Sequence, residues 1–311
     1  MAKKESWTAG KILSTSWKIV SVCISVIMFI FLAMIFISVF GAFLPESIQA
    51  GNVAVIPIEG IISTGEDGFT QNVNSQSIVE LIDKADKNDA IKAILFEINS
   101  PGGTPVATDE IASAIKASNK TTVAVIRETG ASGAYWIATA ANKIFANRMS
   151  ITGSIGVTAS HLEFGGLISD YNVTYRRLTA GRLKDAGSIF RNMTSEEQTL
   201  FQKILDDLHT EFIKTVAENR HLPEDKVREL ATGFVYLGSE AKELGLVDEL
   251  GNKKDALKYI EKTLNITAEP VDYKEHKSVF EKLAGVTANN FYQIGKGIGS
   301  VFEADTKISL T

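Results

Sequence analysis

Apolar and polar positions change period several times along this chain. Ile19–Leu44 is apolar and carries no charged residue. It exceeds the roughly 20 residues that span a bilayer, so it predicts one transmembrane helix. Beyond it, short apolar runs alternate with stretches of helical spacing. Val53–Ile58 (VAVIPI), Ala93–Ile98 (AILFEI) and Thr122–Ile126 (TVAVI) read as buried strands, and Ile144–Ala146 as a short fourth. Ser77–Asp86 places Ile78, Leu81, Ile82 and Ala85 at helical spacing, and Thr108–Ala117 and Ala134–Ala141 also read as helices. Gly60–Asn74 is polar and glycine-punctuated, which predicts a loop. The β-α-β-α-β-α alternation predicts an α/β fold: a largely parallel sheet with flanking helices, preceded by the one transmembrane helix.

The second half is less regular. Ser150–Val157 is turn-prone and then apolar, Thr174–Thr179 reads as a strand, and Ala180–Arg191 is glycine-interrupted and irregular. Thr194–Asn219 is a long amphipathic helix that opens with a capping box, Thr194 to Glu197. Pro223–Ala231 predicts a helix, Tyr236–Leu250 a turn, short helix and strand, and Asn252–Leu264 a further helix. The expected organisation is an N-terminal segment (1–18), an anchor (19–44), an α/β domain (51–265) and a tail (266–311). The tail's apolar clusters, Val279 to Leu283 and Phe291 to Phe302, read as a surface helix or as a membrane- or partner-facing segment.

Charge orients the anchor. Lys3, Lys4, Lys11 and Lys18 precede it, and no Lys or Arg follows until Lys84. The positive-inside rule then expects a single-pass protein of the cell membrane, N-terminus cytoplasmic and the α/β domain outside. A cleaved signal peptide fits less well. Its apolar region is usually only about 7–15 residues, and Ile48 occupies a position where cleavage needs a small side chain. A net charge of −5 gives no reason to expect nucleic acid as a partner. The single cysteine, Cys23, excludes an internal disulfide and a multi-cysteine metal site.

Candidate chemistry gathers where two strands end. In a parallel sheet, sites lie in loops at the carboxyl ends of strands. Asn99–Gly103 follows one strand and Glu128–Ser132 the next. Gly102 and Gly103 can bring bare amides close to a ligand, or can simply turn the chain. Ser132 heads a helix whose first amides are unpaired. It suits a nucleophile beside oxyanion donors, but taken alone it reads first as an N-cap, the commoner use of a serine there.

These stretches resemble the signal peptide peptidase A (protease IV) family in its short, single-anchor form. The matching motifs are INSPGG (Ile98–Gly103), ASGAYWIATAANKIFAN (Ala131–Asn147), TGSIGV (Thr152–Val157), KDAGSIFRNMTSEE (Lys184–Glu197) and LGLVDELG (Leu244–Gly251). They stand in the family's order over about residues 53 to 265. INSPGG alone is shared with the Clp protease proteolytic subunit, and the resemblance implies a Clp protease/crotonase-like fold. It further implies a serine–lysine dyad of Ser132 and Lys184, with oxyanion donors at Gly102, Gly103 and Gly133. Ser154 falls where a hydroxyl could hold the lysine amine. Peptide substrates such as remnant signal peptides and other membrane-protein fragments, and a ring-shaped homo-oligomer whose dyad may form between protomers, are also implied. No metal or cofactor is expected. One departure is Ala134, where many members carry a second glycine; its methyl is expected to narrow the pocket.

A lysine base working near neutral pH needs a pKa of roughly 7–8 instead of about 10.4. Leu183, Ala186, Ile189 and Phe190 are the apolar neighbours expected to bury Lys184. Three other readings compete. One is a Ser-His-Asp protease using His161 as base. Another is a crotonase-type acyl-CoA enzyme, which would need a cytoplasmic domain. The third is a catalytically silent oligomeric membrane scaffold.

Overall fold

The structure is a computed structural model, and it describes residues 9–41, 51–65 and 72–274. It divides into two units. One contains helix α1 (Ala9–Gly41); the other is Ala50–Glu275. Within α1, Trp17–Phe36 is long and apolar enough to cross a membrane.

The second unit follows the alternation in the sequence. Its elements are β1 (Val53–Glu59), β2 (Ile61–Ser63), β3 (Asn72–Asn74), α2 (Ser75–Lys87), β4 (Ala93–Ser100), α3 (Pro105–Ala117) and β5 (Thr121–Ala131). There follow α4 (Gly133–Thr139), β6 (Lys143–Ala146), β7 (Ile151–Gly153), α5 (Gly165–Asp170), α6 (Ser195–Arg220) and α7 (Glu224–Leu230). The last are β8 (Val235–Leu237), α8 (Gly238–Glu243), β9 (Glu249–Leu250), α9 (Lys253–Leu264) and β10 (Pro270–Asp272). The main sheet has the order β10-β1-β4-β5-β6-β9, with every pair parallel, while β7 continues beside β5 and pairs antiparallel with β8.

Side chains alternate across the strands, so each strand feeds two cores. Ala54, Ile56, Ile58, Phe96 and Ile126 join the core beneath α2, α3 and α4. Val53, Val55, Leu95, Val123, Val125 and Phe145 pack with Ala256 and Ile260 of α9 on the other face. Burial on both faces is why these strands read as continuous apolar runs. The capping box at Thr194 is complete: Glu197 N donates to Thr194 Oγ1 (3.2 Å) and Thr194 N to Glu197 Oε2 (2.9 Å).

Four expectations need correction. Thr174–Thr179 forms no strand, and every residue of 171–180 is exposed. Its β-rich composition has no ladder partner among the described residues, and a strand is made by its ladder. Gly60–Asn74 is not all loop: Ile61–Ser63 and Asn72–Asn74 pair in parallel, and Ile62 also bridges to Gly103. The edge strand β10 lies in the stretch read as tail and pairs Pro270 with Val53. It is short and opens with proline, which an edge position tolerates. The expected narrowing by Ala134 is not seen either: that residue is fully buried, so its methyl packs into the core.

Candidate active site

The site is built by the overrun of β5 past its main ladder. Residues 123–126 of β5 pair with β6, and Thr129–Ala131 pair with β7. Against β4 the register shifts between Ile98 and Ser100, and Asn99 Oδ1 accepts from Thr129 N at 3.2 Å across that irregularity. The two loops named from sequence therefore lie side by side.

Ser132 caps the end of β5 with φ 53° and ψ −127°. A side-chain-bearing residue in this left-handed region is strained by about 1–3 kcal/mol and is held there by its surroundings. The holding bonds are identifiable. Ser132 N donates to Gly153 O (2.8 Å), and Ser132 O accepts from Tyr135 N (2.9 Å) and Trp136 N (3.0 Å). The hydroxyl makes no cap hydrogen bond. An N-cap residue is normally extended and bonds through its side chain, so Ser132 is not a side-chain cap.

The glycines close in around it. Gly102 has φ 108°, and a Cβ there would come within 2.8 Å of Gly133 N and 2.9 Å of Ser132 Cβ. A Cβ on Gly103 would lie 1.8 Å from Ile62 O, and one on Gly133 would lie 2.4 Å from Thr108 Oγ1 and 3.3 Å from Gly103 N. These close approaches admit only glycine. The turn is pinned by Ile62 N to Gly102 O (3.0 Å) and Thr104 N to Ile62 O (2.9 Å). Gly102 N is already engaged by Ser100 Oγ at 3.1 Å. Among the described residues, the Gly103 and Gly133 amides have no acceptor in a turn, loop or cap. Of the three expected oxyanion donors, these two are open. Ser154 follows directly on Gly153, with φ 51°, and its Oγ donates to Gly233 O (3.1 Å).

Lys184 stands apart from this group. It is exposed, in a turn closed by its own amide to Gly181 O (3.1 Å). Among the described residues no hydrogen bond or ion pair joins it to Ser132 or Ser154. Leu183 and Ala186 are half-buried, whereas Ile189 and Phe190 are exposed, so the expected burial of the amine does not occur within one chain. The loop around it is nevertheless fixed. Asp185 pairs with Arg191 (3.0 Å) and Arg177 (3.2 Å), and Arg191 also donates to Glu197 at 2.5 Å. The Arg191 guanidinium, helped by the Tyr175 hydroxyl, holds the Asp185 carboxyl below the usual carboxylate range. Arg191 and the Thr194 amide bring Glu197 down to about 2.

Residues 114–267 match peptidase family S49. Over 244 residues the chain is 38% identical to a protease of Methanocaldococcus jannaschii, covering 77% of each chain. Over 244 residues it is 33% identical to a signal peptide peptidase, SppA, of Enterococcus faecium, covering 76% of this chain and 71% of that one. The chain belongs to peptidase family S49. A chloroplastic serine protease, SPPA, of Arabidopsis thaliana is 30% identical over 222 residues, 70% of this chain and 32% of its own length.

This S49 member is thus a protease of the SppA type, on a mostly parallel sheet with flanking helices. The three described histidines lie elsewhere than the serine's hydrogen bonds: His161 Nε2 is 3.5 Å from Glu163 Oε1, and His221 ends α6 with φ 52°. His209 is within α6, and His276 lies outside the described residues. The cleft of about 820 Å³ lined by Arg127, Thr129, Met149, Ile151 and Lys253 includes neither Ser132 nor its glycines. Sequence reasoning missed Asn99, which joins the two loops, and Ile62, which pins the glycine turn. It also missed Thr108, which reads only as a polar position in a helix. A hydroxyl five residues past Gly103 was the available signal.

Proposed function

We propose that this S49 peptidase is a membrane-anchored serine endopeptidase that hydrolyses membrane-associated peptides, such as remnant signal peptides, with Ser132 as nucleophile and Lys184 as base. The observation that carries this reading is Ser132 itself. Its backbone is held in a strained conformation, its hydroxyl is released from capping, the open Gly133 amide follows it directly, and Gly103 N lies 3.3 Å from where a Cβ on Gly133 would be. Strain of this kind collects at functional sites.

Ser132 Oγ attacks the scissile carbonyl carbon while its proton passes to the neutral lysine amine. The carbonyl oxygen takes the negative charge and accepts from Gly103 N and Gly133 N. Collapse breaks the C–N bond, and the ammonium returns a proton to the departing amine. Water then attacks the acyl-serine carbon, its proton going to the same lysine; the C–Oγ bond breaks, the ammonium returns that proton to Ser132 Oγ, and the peptide acid leaves.

Lys184 reaches the serine from a neighbouring protomer in a ring-shaped homo-oligomer. Two observations support this. Lys184 is exposed and unpaired among the described residues, on a loop made firm by ion pairs. No hydrophobic side chain between Ile155 and Phe212 is buried, and Leu162, Leu167, Tyr171, Val173, Leu178 and Phe190 are all exposed. Apolar surface of this extent marks an interface. The anchor and its lysines support an N-terminus in the cytoplasm and a catalytic unit outside.

The test is active-site labelling of the detergent-solubilised full chain with a fluorophosphonate, with the modified residue mapped. Label on Ser132, and loss of several orders of magnitude in kcat on removing either Ser132 or Lys184, are expected. A folded but dead His161→Ala enzyme beside an active Lys184→Ala enzyme would replace the dyad with a triad.

A further inference from the structure

Thr108 lies in the second turn of α3, and its side chain is almost wholly buried, at 1% exposure. Its amide donates to Thr104 O at 3.1 Å, but its Oγ1 has no hydrogen-bond partner. A hydroxyl in that position destabilises a fold, because it has lost water and gained nothing. A buried polar atom left unpaired in a native protein calls for a reason, and strain or a catalytic role is the usual one.

The surroundings supply the reason. A Cβ on Gly133 would fall 2.4 Å from Thr108 Oγ1 and 3.3 Å from Gly103 N. The unpaired hydroxyl, the Gly133 backbone and the Gly103 amide therefore share one small region directly behind Ser132. We propose that Thr108 is a positioning residue of the oxyanion site. This rests on the reading of Ser132 as nucleophile. With no partner in the resting protein, the hydroxyl is free to turn its proton toward the charge that develops at the Gly103 and Gly133 amides. The hydroxyl itself is shielded from water, and a dipole so placed acts more strongly on such a charge than one in solvent. Through Gly133 the same oxygen also sets how that amide is aimed. It touches neither the substrate nor the reacting atoms.

The test is Thr108→Val and Thr108→Ser in the full-length chain, with steady-state hydrolysis of a peptide substrate and thermal unfolding measured on each. Valine keeps the shape and removes the hydroxyl. We expect kcat to fall about tenfold or more with KM within about twofold, a Tm at or above that of the wild type, and recovery of kcat with serine. Wild-type kcat in Thr108→Val overturns the proposal. So does a lowered Tm, which would show that the hydroxyl has a structural partner. If Thr108→Val yields no folded protein at all, Thr108→Ala must lose kcat in the same way and Thr108→Ser must keep it. Ser132→Ala separates the two readings. A fully active Ser132→Ala enzyme removes the nucleophile and this proposal together. A dead Ser132→Ala beside a fully active Thr108→Val removes this proposal alone.

Discussion

At the scale of single residues, the site is a set of backbone conformations that side chains disfavour. Ser132 is held at φ 53°, where its Cβ is unwelcome. Ser132→Ala keeps that Cβ and the strain with it, whereas Ser132→Gly removes both. Both variants should be inactive, but the glycine variant should be more stable than the alanine variant by about 1 kcal/mol, measured by urea unfolding. Equal stability would mean that the strain is absent in solution. Gly103→Ala should be far more damaging, because its methyl would meet Ile62 O at 1.8 Å and backbone must move. At this scale the sequence was informative. A serine between small residues at a strand-to-helix junction, and a Pro-Gly-Gly turn after a buried run, are local signals that chain geometry turns directly into position. The unavailability of Gly102 N was not legible, since it depends on where Ser100 Oγ points.

Elements differ in how legible they are, for a physical reason. Strands buried on both faces announce themselves by continuous apolar runs, and α6 by its capping box. Edge strand β10 and the pair β2 and β3 carry no such run, because few residues of each are buried. Conversely, Thr174–Thr179 has strand composition but no ladder partner among the described residues. The start of α6 is the element most exposed to pH. Glu197 is held down to about 2 by Arg191 and the Thr194 amide, against an ordinary value of 4.5. A lowered carboxyl pKa gives stability that is full above about pH 4.5 and is lost as pH falls through the folded value. Hydrogen exchange at residues 185–198 should therefore accelerate between about pH 4.5 and 2, beyond its intrinsic pH trend, and Glu197→Gln should abolish that step. The far end of α6 is tied by Arg220 to Asp248 at 2.8 Å, with the arginine side chain only 8% exposed. Burial pushes the Asp248 carboxyl up, but the bonds from Arg220 and the Ile144 amide outweigh it and leave the value lowered. Arg220→Ala should cost about 3 kcal/mol in urea unfolding, the low end for breaking a buried pair, because the carboxylate keeps some contact with water.

For the molecule as a whole, the question is how many chains make one site. Within one chain Ser132 and its two open amides stand together, but Lys184, the proposed base, is not beside them. The sequence motifs point to both halves of the proposed dyad without saying which chain supplies each, because that distance would depend on packing between copies. The exposed apolar side chains that flank Lys184 on 158–193 would be a liability in water unless another surface covers them. If a second protomer covers them, Ser132→Ala and Lys184→Ala subunits should each be inactive alone and should recover activity when dissociated, mixed and reassembled. With random assembly at equal amounts, each site draws its serine and its lysine independently, so about a quarter of sites should carry both intact. Activity near a quarter of wild type, absent from either variant alone and read with the same peptide substrate, supports a site built between chains. Subunits that demonstrably exchange but recover nothing would place both residues of the dyad in one chain. The 158–193 loop would then have to move to bring Lys184 to Ser132, since no bond joins the two residues in the conformation described.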